Sequence, residues 1–212
     1  MLIDITHPLI PGESAVWPND TPLTREVIMD VAKGDVITLS TLRSTTHLGT
    51  HADGPNHYGQ GACGVGEMPL DHYIGPCRVI RVNAAPHSRV AIDMLGDTPI
   101  DVPRILLDTG TFTTIEHFNE AFAALDPDLI DFLADQGVRT IGLDSPSVDI
   151  LDSKDLPTHA RCLARDVAII EALRLQDVPP GLYELMAQPL KLMGVDGSPV
   201  RAVLRTTDQS PT

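Results

Sequence analysis

The run Thr46-His47-Leu48-Gly49-Thr50-His51-Ala52-Asp53-Gly54-Pro55-Asn56-His57-Tyr58 constrains this chain more than any other stretch. Three of the eight histidines fall within eleven residues, with a carboxylate among them. On a helix, His47 and His51 would lie one turn apart on one face. On a strand, residues 47, 51, 53 and 57 share parity and point one way. Neither geometry serves the whole run. Asp53 lies more than one helical turn from His47, and a straight strand rises about 3.3 Å per residue, which holds the outer histidines too far apart. The chain must curl, and Gly49, Gly54 and Pro55 stand where a curl needs them. A curled segment brings two imidazoles and a carboxylate around one cation. That donor set suits zinc, and manganese or iron less selectively. A histidine-rich surface loop is the plain alternative, and a metal site needs further donors from elsewhere in the chain.

At 212 residues the default is one domain. Apolar residues make up 42% of the chain, enough for a sizeable core. A net charge of −14 argues against a nucleic-acid surface, since no basic patch competes for phosphate. It does not argue against a buried cation, whose own charge dominates locally. Cys63, Cys77 and Cys162 are odd in number and far apart, with no Cys-x-x-Cys pair, so a thiolate zinc site is not supported and a reduced compartment fits. The N-terminus lacks the pattern of a signal peptide, and no apolar run reaches membrane length. The expectation is a soluble, cytoplasmic protein.

Residues 2–5 read as a first strand. A Pro- and Gly-rich loop follows, carrying Trp17, the only tryptophan. Residues 23–29 and 36–43 read as strands about a turn at Lys33-Gly34-Asp35, the second running straight into the histidine segment. Residues 59–66 hold four glycines and read as a flexible connection, without the ending of a phosphate loop. Residues 77–82 and 104–107 are further strands, and 88–95 a short helix. Asp126-Pro127 opens the clearest helix, with an N-cap, a proline at its first position and Gly137 as its stop. A strand over 140–143 follows, and this order predicts a mixed sheet with a helix packed on it. Residues 206–212 read as a polar, fraying tail beyond a domain of residues 1–205. His159 and Glu171 stand out late. By position alone, Glu171 reads as solvated, since a carboxylate facing a core is costly unless paired or bound to a cation. No Gly-x-Ser-x-Gly segment supports a serine nucleophile.

Residues 47–58 resemble the His-x-Gly-Thr-His-x-Asp-x-Pro-x-His-(Phe/Tyr) signature of the metal-dependent cyclase family. Within that family the chain is most similar to the bacterial kynurenine formamidases (arylformamidases). The likeness takes in Asp4, Trp17, Asp20-Thr21-Pro22, Gly75-Pro76-Cys77-Arg78-Val79-Ile80, Ala134-Asp135-Gln136-Gly137-Val138-Arg139, Asp144-Ser145-Pro146-Ser147, Pro189-Leu190-Lys191-Leu192 and Ser198-Pro199-Val200-Arg201-Ala202-Val203-Leu204. The length suits short formamidases better than isatin hydrolases. The resemblance implies a compact α/β domain of the swivelling β/α/β type, with a mixed sheet and flanking helices, usually as a homodimer. It also implies two divalent ions, usually zinc, with manganese possible. His47, His51 and Asp53 match the ligands of the first, and Asp53, His159 and Glu171 those of the second. His57 matches the catalytic acid–base, and Trp17 an aromatic against the substrate ring. The implied reaction is hydrolysis of N-formyl-L-kynurenine to L-kynurenine and formate, with a metal-activated hydroxide as nucleophile. A related hydrolase of another amide, ester or lactam, and a metal-binding module without catalysis, are the other readings. Gly54 departs from the usual alanine, and residues 84–100 match poorly, which leaves the pocket the least specified part.

Overall fold

A computed structural model describes residues 1–208 and 210. Its strands are β1 (Leu2–Asp4), β2 (Thr24–Met29), β3 (Leu39–Arg43), β4 (His51–Asp53), β5 (Ile74–Arg81), β6 (Arg89–Val90) and β7 (Arg104–Asp108), followed by β8 (Ala124–Leu125), β9 (Thr140–Leu143), β10 (Ala168–Glu171), β11 (Gly181–Met186), β12 (Gly197–Pro199) and β13 (Val203–Thr206). Two α-helices, α1 (Pro127–Asp135) and α2 (Pro157–Ala164), and five short 3-10 turns complete the regular structure of the described residues.

Nine strands form one sheet in the order β1-β13-β11-β5-β7-β9-β10-β4-β12. The centre, β5-β7-β9-β10, is parallel. The flanks are antiparallel. The sheet curls until the residue pair Thr6 and Leu173 bridges from beyond β1 to beyond β10. A mixed α/β architecture was the expectation, and the strand–helix–strand unit β7-α1-β9 gives it the parallel crossover expected of such an order.

The pleat divides the core. Along β7, Leu106 packs inside the curl with Ile5, Tyr73, Cys77, Leu173 and Leu204. Its neighbours Ile105 and Leu107 face the helices, with Ile141, Leu143 and Ile169 from adjacent strands and Leu129, Ile130 and Leu133 from α1. α1 forms as its sequence dictates. The Asp126 side chain accepts from the Asp128 N–H, Pro127 opens the first turn, and the chain leaves through Gly137 at φ +87°. The position of α2 is less visible in sequence. Its N-cap, Leu156, offers no side-chain oxygen. Asp149, from an earlier loop, accepts instead from the N–H groups of Thr158 and His159.

Three expectations need correction. Residues 88–95 are not an α-helix: β6 pairs with β8, and only Ile92–Leu95 turn as a 3-10 segment. The Ser88 and Val90 carbonyls accept from the Ala124 and Asp126 N–H groups, which takes from a helix the acceptors its first turn would have used. The strand before the histidine segment is shorter than expected, starting at Leu39, and among the described residues it pairs only with β2, while the segment builds its own strand, β4. Nor are the glycines of 59–66 chiefly a source of flexibility. A Cβ on Gly66 would stand 2.5–2.7 Å from the Leu192 backbone, and one on Gly64 2.7 Å from Gly194 Cα. They are places where two chain segments touch. At the C-terminus, Thr206 ends β13 opposite Tyr183, while residues 209, 211 and 212 of the expected tail lie outside the described residues.

Candidate metal centre

β4 and β10 lie antiparallel, with Glu171 directly opposite His51 and Ile170 opposite Ala52. Alternation therefore sends Ala52 and Ile170 into the curl and places His51, Asp53 and Glu171 on the other face. That face is the one α2 covers, and α2 carries His159. All four side chains are buried. The reading of Glu171 as solvated, made from position alone, fails because β10 is an inner strand of the sheet, with neighbours on both edges.

The bend that the glycines and proline predict is present. Gly49 sits at φ +54°, and the chain turns there from His47 into β4. Pro55–His57 then forms a single 3-10 turn that brings His57 back to the mouth of the site. The His47 ring rests over Gly197, where a Cβ would stand 2.9 Å from its Cε1.

The donor atoms converge. Asp53 Oδ1 lies 3.0 Å from His47 Nδ1 and 3.4 Å from His51 Nε2. Asp53 Oδ2 lies 3.5 Å from His159 Nε2. Glu171 Oε2 is 3.4 Å from His51 Nε2, and Oε1 is 3.8 Å from His159 Nε2. Ligands on a tetrahedral zinc with bonds of about 2.0–2.1 Å stand roughly 3.3 Å apart, and the contacts of Asp53 with His47, His51 and His159 and of Glu171 with His159 are near that spacing, whereas the His51–Glu171 contact runs between two groups of donors. Two donor sets result, His47/His51/Asp53 and Asp53/His159/Glu171, joined through the two oxygens of Asp53. Both oxygens, and His51 Nε2, are buried without a hydrogen-bond partner. Stranding three such atoms is costly in a folded protein, and divalent ions would satisfy all of them. The residues present therefore fit such a group.

Each imidazole is held from behind. His51 Nδ1 donates to the Gly49 carbonyl at 2.8 Å. His159 Nδ1 lies 2.9 Å from Asp149 Oδ2. His47 Nε2 lies 3.2 Å from Asp196 Oδ2, whose Oδ1 accepts from the Thr46 hydroxyl. Such partners fix the ring and leave the opposite nitrogen free to ligate. Asp149 and Asp196 escape the sequence reading, although each lies within two residues of a segment that carries the family likeness, 144–147 and 198–204.

The electrostatics agree. Burial opposes charge on His51, but the Asp53 and Glu171 carboxylates outweigh it and raise the ring to about 10. Burial likewise opposes charge on His159, and Asp149 with Asp53 raises it to about 10. Burial disfavours charge on Asp53 too, yet the three imidazoles hold it well below the usual carboxylate range. His57 behaves differently: burial outweighs the carboxylates and lowers its pKa, so the ring is neutral near pH 7.

A cavity of about 270 Å³ opens onto this cluster. Trp17, Phe112 and Phe118 form one wall, with Ile115, Ile150, Leu151 and Leu156 around them and His57 beside the donors. Trp17 packs edge-on against Phe118 at 5.3 Å and Phe122 at 6.0 Å. The turn Trp17-Pro18-Asn19-Asp20, closed by the Asp20 N–H on the Trp17 carbonyl, presents both Trp17 and Asp20 to the cavity. Every sequence-predicted site residue is thus at one place: five in the donor cluster, His57 at its edge and Trp17 in the wall.

Known proteins share this arrangement of the chain. A "potential metal-dependent hydrolase with cyclase activity" superposes with a TM-score of 0.81 at 28% identity, over 96% of each chain. A "predicted metal-dependent hydrolase" from Bacillus stearothermophilus gives 0.80 at 29%, over 96% of this chain and 97% of its own. Isatin hydrolase A from Labrenzia aggregata has the same fold, with a TM-score of 0.81 at 21% identity over 98% and 94%. The Cyclase family model matches residues 3–150, a span that includes the whole histidine segment and Trp17. The chain belongs to the Cyclase family.

Proposed function

We propose that this protein is a metal-dependent amide hydrolase, an arylformamidase that cleaves N-formyl-L-kynurenine to L-kynurenine and formate in cytoplasmic tryptophan breakdown. The observation that carries the reading is one cavity bounded by two Asp53-linked donor sets, a neutral imidazole and an aromatic wall. His47, His51 and Asp53 would hold one divalent ion, and Asp53, His159 and Glu171 a second, zinc by preference over manganese. Bound there, such ions lower the pKa of water towards about 7 and polarise an acyl oxygen. The chain's own residues do the rest. His57 lies with its ring 4.1 Å from that of His47, at the edge of the donors. Being neutral, it can take a proton from water and deliver it to the leaving nitrogen, which as an amide anion would be a poor leaving group. Trp17, Phe112 and Phe118 receive an aromatic ring and keep it dry.

A second reading has an observation of its own. No lysine or arginine lines the cavity among the described residues, so the carboxylate of kynurenine would lack a cationic partner there. Asp20 at the mouth can receive the ammonium group. A neutral amide, ester or lactam fits the lining without that mismatch. The deciding experiment compares kcat/KM for N-formyl-L-kynurenine, formanilide and isatin. A preference for the first supports the formylkynurenine assignment, a preference for formanilide keeps an arylformamidase but moves it to a neutral substrate, and a preference for isatin transfers it to the related lactam hydrolase.

A further inference from the structure

We propose a third, weaker cation site at the rim of the cavity, formed by His57 and Asp196 beside the outer edge of His47, whose occupation stops the reaction. The donor atoms of these three residues lie within 4.8 Å of one another. Asp196 Oδ2 is 4.0 Å from His57 Nδ1 and 3.2 Å from His47 Nε2. The first is about 0.7 Å longer than the roughly 3.3 Å between ligands on a tetrahedral ion, and the second is the hydrogen bond by which His47 holds the carboxylate. The carboxylate is aimed. The Thr46 hydroxyl holds Oδ1, and the Asp196 carbonyl accepts from the Gly54 N–H at 2.7 Å, which ties residue 196 to the end of β4. Gly197, the next residue, pairs with Asp53 in the sheet, so the rim donors keep a fixed distance from the inner ones.

The rim differs from the inner sets in ways that set its affinity. The side chains of His57 and Asp196 are 37% and 48% exposed, against 1–5% for Asp53, His51, His159 and Glu171. An ion here keeps part of its water shell and repels the inner ions, so it binds after them and leaves more readily. With Nδ1 of His47 turned to the inner set, its Nε2 carries a proton and already donates to Asp196. The rim ion therefore takes mainly His57 Nδ1 and Asp196 Oδ2. Once coordinated, that nitrogen of His57 no longer exchanges protons. The consequence is a hydrolase activated by a limited supply of divalent metal and inhibited by an excess. The inhibition rests on the role of His57 proposed above; the binding does not.

The test is a zinc titration of the protein already loaded with its inner ions, read by equilibrium dialysis and, separately, by turnover. Wild type should take up one further equivalent and lose turnover over the same range of free zinc. Asp196→Ala should lose that equivalent and need at least tenfold more zinc for half-inhibition, relative to its own rate without added zinc. Asp196→Asn, which keeps a partner for Thr46 and His47, should weaken the extra site in the same direction and stands in if the alanine variant does not fold. His57→Ala should also lose the extra equivalent by dialysis. Absence of a further equivalent in wild type, or an unchanged zinc response in the Asp196 variants, overturns the proposal. Failure of the formamidase reading would show instead in turnover before any zinc is added, with the dialysis result intact.

Discussion

His57 and the carboxylates behind the imidazoles make the sharpest claims about single residues. His57→Ala should keep its metal content and lose about 10²–10⁴-fold in kcat, the usual worth of general acid–base help. Elemental analysis beside single-turnover kinetics separates that outcome from metal loss. Asp149 touches no proposed ion, yet it orients His159 and caps α2. Asp149→Asn should lower metal affinity about 10–100-fold, measured by competition with a chelator. The histidine cluster was legible because its residue types have few other uses at that spacing. Glu171 was legible only through the family likeness, because a carboxylate in an apolar run reads as outward-facing until the opposite strand is known. Asp149 and Asp196 were not, because outer partners are chosen by folded geometry and leave no spacing of their own.

Protons and ions compete for the same atoms. In the metal-free protein, His51 and His159 are raised to about 10 from an unfolded value of 6.5. Groups whose folded pKa is raised stabilise the fold fully below the unfolded value, and that contribution is lost as pH climbs through the folded one. The metal-free protein should therefore melt at a lower temperature at pH 10 than at pH 6.5. The loaded protein should show the opposite trend at its acid end, since protons displace ions from imidazoles. Calorimetry of both forms across pH 5–10 checks the crossing.

Elements follow local rules wherever the rule is self-contained. α1 carries its own cap, proline and stop, and was visible as such. α2 borrows its cap from Asp149, so only Pro157 at its first turn hinted at it. Leu133, fully buried between α1 and the sheet, should cost about 2–5 kcal/mol when changed to alanine, read from denaturant unfolding. Gly66→Ala should cost about 1–3 kcal/mol, because its methyl would meet the Leu192 backbone and neither segment can yield cheaply. A glycine that only lent flexibility would tolerate the change.

For the whole molecule, the curled sheet is what unites residues 47–57 with 159 and 171. The pairing of β4 with β10 does this, and no pattern within either strand announces it. The β2–β3 ribbon stands outside that sheet and exposes Val27, Ile28, Val31, Val36, Ile37, Leu39 and Leu42. Apolar surface gathered on one ribbon is uncommon on a monomer, and a second copy of the chain would cover it. We propose the homodimer on that ground. Light scattering should give twice the chain mass, and Ile37→Lys with Leu42→Lys should shift it to the monomer.

The central claim is that two carboxylate-linked donor sets hold the ions on which hydrolysis depends. Metal content per chain, determined together with turnover of N-formyl-L-kynurenine before chelation, after chelation and after zinc is restored, tests it most directly. The account predicts two ions, activity lost with them and activity recovered on their return. Full turnover from chelated protein containing no metal would contradict it.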